Sequence, residues 1–327
     1  MSTTALPTIV VLHDPAGPAP AGIEALNERA RIRHATDRDE LRAAIADAEV
    51  LLVMGQRPLV AEVWPHAERL RWIHVVSAGV DALVFPELAA SDVLLTNARG
   101  MFDRAIAETV LGMVLYFAKD MPTTTALQRR REWRHRETEV LQGTRALIVG
   151  TGTIGREIGR ILGAVGVATT AVARRARSGD PDFARVHGPE VLHECLADAD
   201  WVVIATPLTA QTRGLFDREA FAAMKPGARL INIGRGPVVV TDDLVAALRA
   251  GTIAGAALDV FEEEPLPPEH PLWAFDNVLV SPHMAGDFIG WQRALMDQFR
   301  DCFDRWQAGE ALPNTVDKQR GYVPTRG

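Results

Sequence analysis

The chain has 327 residues, 47% hydrophobic and 24% charged, a composition that excludes disordered, collagen-like and low-complexity classes. Its length suits two domains, each able to bury a core of its own. Lys and Arg number 35 against 42 Asp and Glu, a net charge of −7 without a long run of either sign, so neither nucleic acid nor an anionic membrane is an expected partner.

Only Cys195 and Cys302 are present, too few for a disulfide framework, and no His/Cys cluster has metal-ligand spacing, so no metal is expected. Met1 to Pro7 lacks the basic-then-apolar pattern of a leader, and no 18-residue apolar run occurs; the expectation is a cytoplasmic protein.

Short apolar runs alternate with helix-length segments, the pattern of parallel strands joined by crossover helices. Thr8 to Leu12, Val50 to Met54, Trp72 to Val76 and Val93 to Thr96 read as strands, and Asp37 to Ala48 has helical periodicity. A segment from Arg104 to Lys119 places Ala107, Val110, Leu111, Val114 and Leu115 on one side and reads as a domain-crossing helix. The basic stretch Arg129, Arg130, Arg131, Arg134 and Arg136, interleaved with Glu132, Trp133 and Glu137, is expected to form a solvated or interface helix face.

From Ala146 a second series begins: Ala146 to Val149, Ala168 to Ala173, Trp201 to Ala205, Arg229 to Ile233, Gly255 to Asp259 and Val278 to Ser281. Six strands in series make a complete doubly wound sheet. A helical stretch from Asp287 to Ala308 then leads into a polar tail, and the pattern leaves open whether this piece caps the second domain or returns to the first.

Gly150, Thr151, Gly152, Thr153, Ile154 and Gly155 follow an apolar run and precede a helical segment. In that setting the first glycine makes the turn, the second admits a pyrophosphate to the backbone, and the third packs helix on strand. Outside such a setting the same spacing is only a tight glycine turn. An acid at the end of the next strand would bind the ribose of NAD, but the chain reads Ala173-Arg174-Arg175-Ala176-Arg177 there. Guanidinium groups bind a 2′-phosphate in a charge-assisted, bidentate manner, so Arg174 and Arg175 point to NADP(H), with NAD(H) as the alternative cofactor.

Arg235, Glu264 and His283 each lie just beyond a predicted strand's C-terminal end, where open parallel sheets collect their ligands. A fixed cation can clamp a carboxylate, an imidazole can exchange a proton, and a carboxylate can hold an imidazolium. Each also has a bland reading: a turn arginine, a solvated glutamate, a capping or core histidine.

With Ser77-Ala78-Gly79-Val80-Asp81, Ala107 to Gly112, the glycine loop, Ile231 to Gly236, Leu258 to Leu266 and Ser281-Pro282-His283 in hand, the sequence resembles the D-isomer-specific 2-hydroxyacid dehydrogenases over most of its length. The resemblance implies an α/β fold of two doubly wound domains: a Rossmann NAD(P)-binding domain, 102–286, inserted into a flavodoxin-like, discontinuous substrate domain, 1–101 and 287–327. It implies that Arg235, Glu264 and His283 are the catalytic set. Ser77, Ala78 and Gly79, with Arg235 and His283, are assigned to substrate. Thr206, Pro207, Thr212, Ile233, Gly234, Asp259 and His283 join the glycine loop and the two arginines as cofactor contacts.

It further implies a homodimer, a small 2-oxo or 2-hydroxy acid as substrate, and, because Ala173-Arg174 stands where many members carry Asp, similarity to the NADP-preferring glyoxylate/hydroxypyruvate reductase branch. The second reading is a non-catalytic dinucleotide-sensing interaction protein of the same fold. Formate oxidation is disfavoured, since related formate enzymes carry Gln where this chain has Glu264.

Overall fold

In the computed structural model, which describes residues 6–17 and 20–324, the apolar runs form strands of two separate parallel sheets. Met1 to Ala5, part of the segment searched for a leader, lie outside the described residues. The chain divides into two units, Met1–Met101 with Phe288–Gly327, and Phe102–Asp287. Asp287, expected with the first unit, belongs to the second.

The first unit holds β1 (Thr8–Leu12), β2 (Arg31–Ala35), β3 (Val50–Val53), β4 (Trp72–Val75) and β5 (Leu94–Asn97) in the order β2-β1-β3-β4-β5, all parallel. This is the flavodoxin-like order. Side chains alternate across a strand, so Val10, Leu12, Leu51, Val53, Ile73 and Val75 bury one face under Leu41, Ile45, Val60 and Leu88. On the other face Trp72 meets the helix Trp291–Gln307, with Phe299 stacked on it at 5.3 Å and Trp306 at 6.1 Å. Val316 N–H then donates to Leu95 O at 2.8 Å, so the C-terminal piece returns to the first unit's sheet.

The sequence pattern had no place for β2. Its residues Arg-Ile-Arg-His-Ala lie at the sheet's edge, mostly exposed, and Arg33 is tied to Asp47 at 2.8 Å. Edge strands carry charge and lose the apolar run by which buried strands are found.

The second unit holds β6 (Arg145–Val149), β7 (Ala168–Val172), β8 (Val186–His187), β9 (Trp201–Ile204), β10 (Arg229–Asn232), β11 (Gly255–Leu258) and β12 (Val278–Val280) in the order β12-β11-β10-β9-β6-β7-β8. From β8 inward this is the Rossmann order 3-2-1-4-5-6 with a seventh strand added, one more than expected. The addition to the sequence reading is β8, whose two residues leave no periodicity to find. Both faces of the sheet are covered: Leu147, Val202, Leu230 and Ala256 face one core, and Ile148, Val203, Ile231 and Ala257 face another that includes Ala107, Val110 and Val114 of the helix Asp103–Ala118.

The basic stretch does not form one helix face. The helix Met121–Arg130 stops where Arg131 turns left-handed at φ 59°, and no helix or strand is assigned from there to Gln142. Arg130 and Arg134 pair with Glu132, Arg136 pairs with Asp120, and Trp133 stands 93% exposed. Among the described residues no helix is long and apolar enough to cross a membrane, and no cluster of His, Cys, Asp or Glu could hold a metal ion.

Candidate active site

Because every strand of the second unit runs parallel, the segments that follow β6, β9, β10, β11 and β12 leave the sheet at one edge. That edge receives the glycine loop, Thr206, Arg235, Asp259 and His283. Topology, rather than sequence proximity, brings them to a common side.

After β6, Gly150 takes φ 116°, and a Cβ there would sit 2.6 Å from Ala205 O. A Cβ on Gly155 would meet Gly150 O at 2.0 Å, so only glycine lets the helix Thr153–Ala164 start this close to the strand. A Cβ on Gly152, by contrast, would meet nothing within 4 Å. The helix N-terminus therefore opens at Gly152, where backbone N–H groups and the helix dipole favour an anion. Nearby in the sheet order, the Thr206 hydroxyl is buried without a hydrogen-bond partner among the described residues. A buried unsatisfied hydroxyl on the segment that Gly150 packs against fits a dinucleotide that supplies the missing partner.

Arg174 and Arg175 sit exposed beyond the end of β7. Thr212 braces its own loop, donating to Pro207 O at 2.7 Å and accepting from Thr209 N–H at 2.8 Å, and Ile233 is buried in the core. Asn232, the last residue of β10 and 1% exposed, accepts from Gly234 N–H at 3.1 Å and donates to Arg235 O at 3.1 Å, which fixes the Arg235 backbone. Arg235 in turn donates to Gly234 O at 2.8 Å.

His283 has a left-handed backbone, φ 54°, which costs an L-residue strain unless neighbours hold it. Asp259 does the holding. Its buried carboxylate accepts from Ser281 Oγ at 2.5 Å, Met284 N–H at 3.0 Å and Ala285 N–H at 3.0 Å, gripping the loop on both sides of His283. The imidazole itself pairs through Nδ1 with Glu264 Oε2 at 2.7 Å and is about half exposed. Glu264 Oε1 accepts from Phe261 N–H at 2.9 Å. Burial pushes the Glu264 carboxyl up, but the bonds from His283 and Phe261, with the charges of His283 and Arg235, hold it below its ordinary range. Glu264 thus stays ionised against the ring, and Nε2 is left for a ligand.

Asp287 adds a third carboxyl to this corner, after Asp259 and Glu264. Burial, with the nearby Asp259 charge, raises it above the ordinary carboxylate range against the pull of His283. Sequence reasoning took Asp287 as a boundary and placed it in the stretch Met284 to Phe288 expected near the substrate pocket, without giving it a chemical role.

In the first unit the loop Ser77-Ala78-Gly79 follows β4. Its three carbonyls are engaged: Ser77 O accepts from Ala98 N–H at 3.1 Å, Ala78 O from Asn97 Nδ2 at 2.5 Å, and Gly79 O from Ser77 Oγ at 2.6 Å. Asn97 and Asn232 were not singled out from sequence. Their signal was available: each is an amide at the C-terminal end of a short strand, and each is buried.

The family model "D-isomer specific 2-hydroxyacid dehydrogenase, NAD binding domain" matches residues 111–285. A glyoxylate reductase from Thermofilum pendens is 35% identical over 297 residues, 86% of this chain and 85% of that protein. Among solved structures, a D-isomer specific 2-hydroxyacid dehydrogenase from Xanthobacter autotrophicus Py2, in complex with NADPH and MES, superposes with a TM-score of 0.81 at 33% identity, covering 96% of this chain and 99% of that one. An NADPH-dependent glyoxylate/hydroxypyruvate reductase from Sinorhizobium meliloti, in complex with NADP and sulfate, gives 0.83 at 27% identity, covering 97% and 100%.

Proposed function

Because the chain belongs to the D-isomer specific 2-hydroxyacid dehydrogenases, a family of NAD(P)-dependent oxidoreductases, we propose that it reduces a small 2-oxo acid of the glyoxylate or hydroxypyruvate kind with NADPH. The observation that carries this reading is the His283–Glu264 pair at 2.7 Å on a loop gripped by Asp259. An imidazole oriented through Nδ1 by a carboxylate is a proton donor with its other nitrogen aimed outward.

A bound nicotinamide supplies the hydride. His283 gives its proton to the substrate oxygen, and Glu264 stabilises the positive imidazole before transfer. Arg235 holds the carboxylate and the carbonyl oxygen, its attraction growing as negative charge gathers on that oxygen. The glycine loop and Thr206 hold the dinucleotide, and Asp259 positions the His283 loop. Ser77, Ala78 and Gly79 are assigned to the substrate carboxylate, with their carbonyls already engaged. Arg174 and Arg175 are assigned to a 2′-phosphate, which agrees with the NADPH and NADP named for the two similar structures. In this reading the unit Phe102–Asp287 binds cofactor, the other unit binds the acid, and the protein works as a cytoplasmic homodimer.

The test is initial rates at neutral pH with glyoxylate, hydroxypyruvate and bulkier 2-oxo acids, each with NADPH and with NADH, followed by loss of nicotinamide absorbance. Selective NADPH oxidation with a small acid is expected. Equal rates with both cofactors would remove the 2′-phosphate assignment, and turnover confined to bulky acids would remove the substrate assignment.

A further inference from the structure

The turn that carries Arg174 and Arg175 is built from a distance. Ala173 N–H donates to His187 O at 3.0 Å, and Arg177 and Val186 exchange backbone bonds at 3.0 and 3.3 Å, so both ends of the three-residue excursion Arg174-Arg175-Ala176 are tied to β8. Beyond it the chain bends back to Asp180, whose side chain is 1% exposed although the neighbouring residues 174–179 are exposed.

Asp180 receives two guanidinium groups at once. Arg156, on the helix that opens at the glycine loop, donates to it at 2.9 and 3.0 Å, and Arg177 donates at 2.7 Å. Asp182 N–H donates to Asp180 at 3.1 Å, and the Asp182 carboxylate takes a further bond from Arg156 at 2.6 Å. Phe183 packs against Gly159 of the same helix so closely that a Cβ on Gly159 would sit 2.6 Å from its ring. The loop is thus fastened to the helix by charge and by packing. Burial works to raise the Asp180 carboxyl, and the arginine bonds overcome that, holding it well below the carboxylate range.

Resting on the NADPH reading above, we infer that Asp180 is a positioning residue for cofactor choice: by holding Arg156 and Arg177, it fixes the turn that presents Arg174 and Arg175 to the 2′-phosphate of NADPH. Two consequences follow from the geometry. The guanidinium of Arg177 is drawn back toward the helix, leaving phosphate recognition to the residues of the excursion. The excursion is also ordered before cofactor arrives, and pre-ordering a charged turn improves affinity because the ordering entropy is not lost on binding.

The prediction concerns selectivity rather than turnover. Asp180→Asn keeps shape and loses the charge that holds two arginines, so KM for NADPH is expected to rise about tenfold, with KM for NADH and kcat nearly unchanged. Arg177→Gln, an exposed residue and a gentler change, is expected to move the same ratio in the same direction by about threefold. Titration of 2′,5′-ADP and of 5′-AMP into each protein by calorimetry reads the phosphate contact without turnover. Loss of 2′,5′-ADP affinity alone supports the inference. An unchanged ratio, tighter NADPH binding through a released Arg177, or equal loss for both cofactors overturns it, the last because it is what a merely structural residue would give. A wild-type protein that binds 2′,5′-ADP no better than 5′-AMP sinks the NADPH reading itself, whereas wild-type preference unmoved by Asp180→Asn sinks only the role of Asp180.

Discussion

His74 and His283 carry the same imidazole, each paired through Nδ1 at nearly the same length, 2.8 Å to Thr96 Oγ1 and 2.7 Å to Glu264 Oε2. Their surroundings reverse everything else. His74 lies in β4, wholly buried, ringed by Trp72 and Phe299, and its partner is a neutral hydroxyl. His283 stands about half exposed on a loop, in a left-handed backbone, and its partner is an ionised carboxylate. Burial drives the His74 pKa down from 6.5 to about 3, so the ring is held neutral and does no proton work near neutrality. The contrast teaches that a hydrogen bond does not make a histidine chemical; a charged partner and access to a ligand do.

Replacing each ring tests that contrast, and the largest effect belongs to the exposed one. His283→Ala is expected to lower kcat about 10³-fold, roughly 4 kcal/mol in barrier, while the dissociation constant for NADPH stays nearly unchanged. Stopped-flow or steady-state rates with the best acid check it, alongside cofactor fluorescence titration. Unchanged turnover would remove His283 from the mechanism and leave the two histidines functionally alike.

Next comes the carboxylate partner. Glu264→Gln preserves the shape and a hydrogen bond but withdraws the charge, so kcat is expected to fall about 10²-fold, less than for loss of the ring itself. Thermal denaturation should show little change, because the pair is partly exposed and solvent screens it. A Gln variant with wild-type kcat would mean that Glu264 serves only to orient the ring.

The buried histidine governs stability instead. Its native pKa lies below its unfolded value, so the unfolded chain takes up a proton as pH drops below 6.5 while native His74 resists until about 3. Stability is complete above that upper value and is lost downward through the window, by about 2 kcal/mol between pH 6.5 and 5. Urea unfolding of wild type and His74→Asn at pH 7, 6 and 5 measures it. The variant should be less stable at pH 7 but flatter with pH, and parallel curves would show that His74 is not the group responsible. Asp180, held well below the carboxylate range and buried, acts only at lower pH, where its protonation removes further stability.

How much of this was open to sequence reading depends on what holds each group in place. Where sterics hold it, as with Gly150 and Gly155, the residue type announces the geometry and the loop is legible at once. Buried strands such as β1 and β9 are legible for the same reason, since water's exclusion requires an unbroken apolar run. Arg235, Glu264 and His283 could be nominated because each follows a strand end, and it was the family resemblance, not that position, that set them above a turn arginine, a solvated glutamate and a capping histidine. Asp180 could not, because its meaning lies in arginines that only the fold brings to it, one of them 24 residues away. Asp259 was visible as part of a motif, yet its work of gripping Ser281, Met284 and Ala285 was not. His74 shows the converse: it was passed over among apolar neighbours, and burial is what makes it matter.

The smallest expected effect isolates what Thr96 does for His74. Trp72 Nε1–H can only donate, so the Thr96 hydroxyl accepts from it at 2.8 Å and makes its second hydrogen bond with His74 Nδ1, also at 2.8 Å. Thr96→Ser keeps that hydroxyl and removes one buried methyl, a loss of about 1 kcal/mol. The acid dependence should survive, because the neutral ring keeps its partner, and kcat should not move, because nothing in this cluster belongs to the proposed chemistry. Urea unfolding at pH 7 and 5 reads both quantities. A Ser variant whose stability no longer falls with acid would show that the Thr96 methyl, by holding the hydroxyl in one rotamer, is what keeps the buried ring neutral.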